Sequence, residues 1–466
     1  MLNFIRNIIG IKDEPNIVIY KTRRIGNRWY IYIEYKLIQP MHCPQCGSVM
    51  HVKDVYERTI KNDVLLIDAS IIILYKQRSW QCKRCRNRYT PQVSFVRKWK
   101  QHTNISMTAS VLKLSDLTRS VTSVAEDFNI SDTSLHNWFM QYVDIRRGEM
   151  PVILSIDEVY VNFTYDCKYA LCLMDFETKE IVDIVISRRE KYTNDYFVAI
   201  PIRERKRVRY IISDMYQPYL DYADRYFPNA KVAVDSFHVI SWLCGRFMGY
   251  LNHLARHYRN ILNDHPDDKK AGDNYYMLKK HRWILLKNDG HIRADYTGRH
   301  DSHFGYMMTT SAYREKFYSI DGRLKMLNEA KEKYIRFNDR DDYKNPEEIR
   351  ISLEELIEDY LGSGDSIIEE FGRMLHSHRD YIVNSFVILD EIGVSGRLSN
   401  GPMESFNRKP KDLKRLARGC DNFEFFRSRI MFSEQNGIPI LDEPKMYKDI
   451  KPVSKDKRGS YNKTKK

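Results

Sequence analysis

No stretch of this 466-residue chain stays apolar for the roughly eighteen positions that a membrane-spanning helix needs. The opening "MLNFIRNIIGIKDEPN" has a short apolar run but no small-residue cleavage site, so no signal peptide is expected. No internal repeat is visible. Cysteine is sparse, with eight residues, four of them in two Cys-x-x-Cys pairs and four scattered, which fits a cytoplasmic protein better than a disulfide scaffold. Acidic charge is in deficit: 76 Lys and Arg stand against 62 Asp and Glu, a net +14. That excess favours a polyanionic partner, nucleic acid first and an acidic membrane second. With 42% hydrophobic and 30% charged residues the chain has the makeup of a globular protein, and its length leaves room for two to four domains.

Residues 16–40 alternate apolar and polar side chains around Gly26-Asn27, the pattern of a β-hairpin. "CPQCG" and "CKRC" follow, separated by a β-branched run that predicts further strand. Over 105–146 the period becomes helical. "SVTSVAEDF" gathers Val121, Val124, Ala125 and Phe128 on one face, and after Asn129-Ile130 a second helix starts from Ser131 as cap, with Leu135, Trp138 and Tyr142 inward. From Pro151, "VILSIDEVYV", "YALCLMDF" and "IVDIVISR" predict three consecutive strands. "RVRYIISDMY" and "AKVAVDSF" add two more around a helix, an α/β or α+β sheet pattern. From His238 to about Glu391 the chain reads as an inserted helical domain, and the end, "SKDKRGSYNKTKK", as a disordered basic tail.

Three groups of residues carry chemistry. Cys43, Cys46, Cys82 and Cys85 form two knuckles, each able to hold two corners of a tetrahedron and together a closed structural zinc site. The helix pair over 118–146 predicts a helix-turn-helix whose second helix presents Asp132, Thr133, Ser134, His136 and Asn137 to phosphates or base edges. Asp157, Asp214 and Glu404 supply hard oxygen ligands, the two aspartates at the ends of apolar strands and the glutamate at the start of a helix. An aspartate at a strand end also serves as a turn former, so the three count through their combination. Cys167, Cys172, Cys244 and Cys420 lack ligand spacing and read as packing residues. Behind Glu404, strict helical periodicity would put Arg408, Lys411 and Arg415 on its face, but Pro410 predicts a bend or break between Phe406 and Pro410.

The chain resembles bacterial DDE transposases of the ISL-three insertion-sequence family. The resemblance runs from the two cysteine knuckles to "SNGPMESFNRKPKDLKRLARGCDNFEFFRSRI", and is most specific there and in "SDMYQPYLDYADRYFPNAKVAVDSFHVI". It implies a multidomain α+β protein: a zinc ribbon over 1–100, a helix-turn-helix over 101–148 and a ribonuclease-H-like core over 149–240. An all-α insertion over 241–395, a C-terminal helical part of the core over 396–440 and a basic tail over 441–466 complete it. It implies a catalytic triad of Asp157, Asp214 and Glu404 holding magnesium or manganese, with structural zinc on the four cysteines. Asp235 and His238 fall in a D-x-x-H place that follows the second acid in related families, where they would orient the core or the insertion; a capped helix start with a satisfied histidine is the alternative. The implied partners are double-stranded DNA, as transposon ends and target, and further copies of the chain assembled on it, with no membrane, in the nucleoid-associated cytoplasm of a bacterium. The rival reading is a non-catalytic DNA-binding regulator or inactive remnant, which needs the zinc and helix-turn-helix features but not the acids.

Overall fold

Alternating side chains carry residues 17–35 through an antiparallel hairpin, β1 (Ile17–Ile25) and β2 (Arg28–Tyr35), closed at Gly26, whose φ of +56° suits glycine. It belongs to a computed structural model that describes residues 2–37, 39–63, 70–295, 297–387, 396–416, 422–435 and 437–445. Cys420 and the predicted tail from residue 446 onward lie outside the described residues. The chain is mixed α+β and divides into two compact units: Met1–Arg147 with Tyr160–Lys168 and Arg408–Lys466, and Gly148–Val159 with Tyr169–Asn407. Among the described residues, no helix is long and apolar enough to cross a membrane.

In the first unit, β3 (Met50–Asn62), β4 (Ser70–Cys82) and the short β5 (Arg88–Tyr89) join the hairpin in the order β1-β2-β4-β3, with β5 on β4. The inner face packs Ile31, Ile33, Ile60, Ile71, Ile73 and Tyr75 against Ile9, Ile11, Phe95 and Val96. Burying one such side chain contributes about 1.5–3 kcal/mol, and no member of this core is a cysteine. A smaller core at the far end of the sheet contains only Cys43, Met50, Trp80 and Cys82 as buried members.

Three short helices follow, Asn104–Lys113, Val121–Asp127 and Asp132–Tyr142. Each is capped by a hydroxyl, from Thr103, Ser120 and Ser131, that accepts the backbone N–H three residues on. Their core is completed from the other end of the chain by Phe425 and Phe432 of the helix Phe423–Glu434. The guanidinium of Arg429, 2% exposed, donates to the carbonyls of Leu114, Asp116 and Arg119 and so ties down the first two helices.

The second unit is built on β6 (Ile153–Tyr160), β7 (Tyr169–Asp175), β8 (Ile181–Val185), β9 (Tyr210–Ser213) and β10 (Lys231–Val234), in the order β10-β9-β6-β7-β8. β6, β9 and β10 are parallel, and β7 and β8 antiparallel. The 29-residue helix Ser236–Asp264 buries Val239, Leu243, Phe247, Leu251 and Ala255, a stripe at every fourth residue on one face. Further helices through Asn384 share one continuous apolar core with the sheet, and Phe304, in the turn of a small hairpin of Arg299–Asp301 with Tyr306–Met308, packs against it.

Candidate active site

The parallel register brings three aspartates to one sheet edge. Ser155 pairs with Ile212, and Ser213 with Val234. Extending those rows toward the strand ends sets Asp157, Asp214 and Asp235 level across adjacent strands, all at the carboxyl ends where parallel sheets build their sites. Periodicity alone offered Asp214 and Asp235 as equivalent strand-end acids, and the register explains why: they occupy the same row.

Each carboxylate is held differently. Asp157 is half-buried; its Oδ1 accepts the Glu158 N–H at 2.8 Å and its Oδ2 accepts Asn407 Nδ2 at 2.7 Å. Burial raises its carboxyl to about 6, with the charges of Glu158 and Asp214 adding, against the Glu158 amide and His238. Asp214 Oδ1 accepts the Tyr216 N–H at 3.0 Å. Asp235, 2% exposed, caps the helix Ser236–Asp264 through Phe237 N and also accepts the backbone N–H of Asn400 at 2.7 Å. Asn400 is fully buried and donates its side-chain amide to Ile156 O at 2.9 Å. That pair of bonds pins the start of the helix Gly401–Phe406, which carries Glu404, to the strand ends.

The ligand atoms of Glu404, Asp235 and His238 lie within 4.8 Å of one another, whereas Asp157 and Asp214 are outside this cluster. The hydrogen bond from Asn400 to Asp235 is the physical reason, because it seats the Glu404 helix against Asp235. Nothing local in the sequence signals that bond. It is made across 165 positions by a backbone N–H. Three buried polar atoms here, His238 Nε2, Asn400 Oδ1 and Asn407 Oδ1, have no hydrogen-bond partner. Leaving each so costs about 1–3 kcal/mol. The carboxylate oxygens of the aspartate row and of Glu404 are the donor type that a hard divalent cation takes.

Beside Asp157, Glu158 accepts from Arg188 and from the Tyr219 hydroxyl, the latter at 2.6 Å. The Arg188 guanidinium lies over the rings of Tyr169 and Tyr216, 4.6 and 4.8 Å from their centroids. This cluster was not visible in the sequence, where its members are spread over sixty positions with no motif.

The break predicted before Pro410 is present. One helix ends at Phe406 with Asn407 as its cap, and the next spans Arg408–Leu416. Pro410 falls in the first turn of the new helix, where its missing N–H has no helical acceptor to lose. Glu404 and the basic residues therefore belong to two separate helices. Arg408 and Lys411 are exposed, Arg415 pairs with Asp412 at 3.2 Å, and Lys409 pairs with Glu434 at 2.7 Å.

On the helix Asp132–Tyr142, Thr133 and Asn137 are exposed. Ser134 is bonded to Ser131, and Asp132 accepts the Thr122 hydroxyl at 2.6 Å. His136 faces inward more than its periodicity suggested: its ring lies 4.3 Å from that of Phe425, and burial lowers its pKa.

The four cysteines converge, with Sγ separations of 3.5 Å for Cys43–Cys85 and Cys46–Cys82 and 3.6 Å for Cys46–Cys85. A tetrahedron with metal–sulfur bonds of about 2.3 Å has edges of about 3.8 Å, so the cluster fits zinc. Both knuckles turn through a left-handed residue directly after the second cysteine, Gly47 at φ +70° and Arg86 at +61°. Hydrogen bonds from the Ser48 backbone and hydroxyl pull the Cys46 thiol down to about 6.

A family model described as transposase, of the ISL3 type, matches residues 154–430. A second, the helix-turn-helix domain of transposase family ISL3, matches residues 91–143. A curated relative, the transposase for insertion sequence element IS1001 of Bordetella parapertussis, is 21% identical over 255 residues, covering 53% of this chain. The chain spans 59% of that relative's length.

Proposed function

The chain belongs to the ISL3 family of transposases, and from that premise we propose that it cuts and joins DNA at the ends of its own insertion sequence. The level row of Asp157, Asp214 and Asp235, with Glu404 brought to it from far along the chain, carries the reading. The strand order β10-β9-β6-β7-β8, with only the last three strands in sequence order at one side, supports a ribonuclease-H-like core.

We assign Asp157, Asp214 and Glu404 as ligands of divalent metal, magnesium by the hardness of the donors, with manganese as a substitute. When bound, such ions activate water, and then a 3′-hydroxyl, for attack on a phosphodiester and stabilise the attacking and leaving oxygens. Asp235 and His238 seat Glu404 and fix the start of the long helix. Arg188, anchored by Glu158, puts a planar cation near the carboxylates, where it would meet a phosphate. The cysteine knuckles with zinc, together with Thr133, Ser134, His136 and Asn137 of the helix-turn-helix, would recognise the terminal inverted repeats in an oligomer assembled on DNA. His136 would act by setting the helix on Phe425. The site of action is the nucleoid.

The test is incubation of the protein with end-containing plasmid and magnesium, scoring nicks and strand joining. Asp214→Asn should lose both while binding end DNA as before. Magnesium-independent or Asp214→Asn-resistant cleavage would overturn the assignment, and cleavage without joining would indicate a nuclease of the same core.

The basic helix gives a separate expectation. If Arg408, Lys411 and Arg415 contact phosphates, neutralising each should weaken binding to all duplexes alike. Each loss should also flatten the plot of log affinity against log salt by about one unit. An unchanged slope in all three variants would make this an ordinary solvated helix face.

A further inference from the structure

We propose that the outer face of the N-terminal sheet binds single-stranded DNA, a role separate from end recognition and independent of the carboxylate site. The inner face is filled by the core described above. On the outer face the register aligns two rows across four strands. One is Lys21, Tyr32, Leu74 and Thr59; the next is Arg23, Tyr30, Ile72 and Lys61. Lys76 and Arg78 continue the same face on β4, and Arg28 continues it on β2. Tyr30, Tyr32, Ile72 and Leu74 are each only half-buried and join none of the described apolar cores. Lys21 lies 5.3 Å over the Tyr32 ring, Lys76 lies 5.1 Å over Tyr20, and Tyr20 and Tyr32 are 6.0 Å apart.

Composition and shape together select the occupant. Lys21, Arg23, Arg28, Lys61, Lys76 and Arg78 outnumber Glu34 and Glu57 on this face, so its charge complements a polyanion. Glu34 is itself ion-paired to Lys36 and Arg78. Four strands about 4.8 Å apart, with side chains on both outer edges, make a surface wider than the roughly 12 Å of a duplex major groove, so the face as a whole cannot enter one. Two tyrosines on one strand, about 7 Å apart at two residues' rise, offer neighbouring rings for unpaired bases. The basic residues beside them would track the backbone. Ile72 and Leu74 supply an apolar floor, which unstacked bases cover and a hydrated duplex backbone does not.

The experiment uses the zinc-loaded full chain and measures anisotropy of a labelled oligothymidylate and of a labelled random duplex. Two base–aromatic stacks at about 1–3 kcal/mol each predict that the Tyr30→Ala/Tyr32→Ala double variant loses oligothymidylate affinity by at least about tenfold. Its duplex affinity should change less than about threefold, and Tyr30→Phe/Tyr32→Phe should bind like the parent because the rings remain. Lys21→Gln/Arg23→Gln should weaken oligothymidylate binding and flatten its salt dependence. Unchanged oligothymidylate affinity in a folded alanine variant would overturn the proposal, as would an equal loss on duplex. If the alanine variant does not fold, photocross-linking of bromodeoxyuridine strands to the parent protein decides. Adducts on Tyr30 or Tyr32 support the proposal, and their absence sinks it.

Discussion

Asp157→Asn is expected to remove metal-dependent cleavage by several orders of magnitude and, in the same protein, to raise metal-free stability above pH 6. The first effect follows from losing a ligand. The second follows from burial. Asp157 titrates near 6 when folded against 3.8 as the ordinary value, so the native state holds its proton more tightly than the unfolded chain does. Below pH 4 both states are protonated and the group is neutral in the balance. Between 4 and 6 the unfolded chain ionises first and native stability falls. Above 6 the penalty is constant at roughly 3 kcal/mol, from about two units at 1.36 kcal/mol each. Asparagine carries no charge to desolvate, keeps an oxygen for the Glu158 amide, and can donate its own Nδ2 to Asn407 once that side chain flips to present the Oδ1 that lacks a partner. The denaturant midpoints of parent and variant should therefore coincide near pH 4 and separate toward pH 7, with the variant higher. Added magnesium should close the gap by stabilising the parent alone, and its affinity for the parent should fall as pH drops through about 6. A variant that magnesium stabilises equally would remove Asp157 from the metal site, and one less stable than the parent at pH 8 would show that burial does not penalise its charge.

Asp235→Asn makes the contrast. Its carboxylate accepts the N–H groups of Phe237 and Asn400, and an amide retains only one oxygen to do so. The expected damage is to the seating of Glu404 and to folding, so activity should fall together with stability. With Asp157→Asn the two move in opposite directions. That divergence separates ligand from support better than activity alone.

What could be read from the sequence was local. Alternation showed the β1–β2 hairpin, hydroxyl spacing showed the Ser131 cap, cysteine spacing showed both knuckles, and Pro410 showed the helix break. These signals depend on residues within a few positions of each other. The grouping of Glu404 with Asp235 and His238 depends on where a buried asparagine docks. The inward turn of His136 depends on Phe425, nearly three hundred positions away, and Arg429 reads as one more basic residue until its carbonyl partners are seen. Periodicity gives the face of a helix but not what comes to cover it. For the same reason the strand-end positions of the three aspartates were legible in the sequence, while a division of labour among them was not.

Cys82→Ser is expected to have the largest effect on the N-terminal region, and the distribution of its cores predicts where that effect stops. Around the knuckles only Cys43, Met50, Trp80 and Cys82 are buried apolar residues, too few to hold two loops and the ends of two strands. Zinc on four thiolates contributes on the order of 10 kcal/mol in small modules, so losing one ligand should empty the site and release residues 41–50 and 80–89. The separate isoleucine core of β1–β4 needs no ligand and should keep the rest of the sheet. Hydrogen exchange should therefore show fast amides confined to the knuckles, with slow ones persisting at Ile31, Ile33 and Ile73. Specific end binding should be lost. The carboxylates belong to the other compact unit, so non-specific magnesium-dependent nicking should survive. Parent protein that is well folded with less than about half an equivalent of zinc would show the cysteines to be unliganded. Exchange spreading through the whole sheet in Cys82→Ser would show instead that the two cores fold as one.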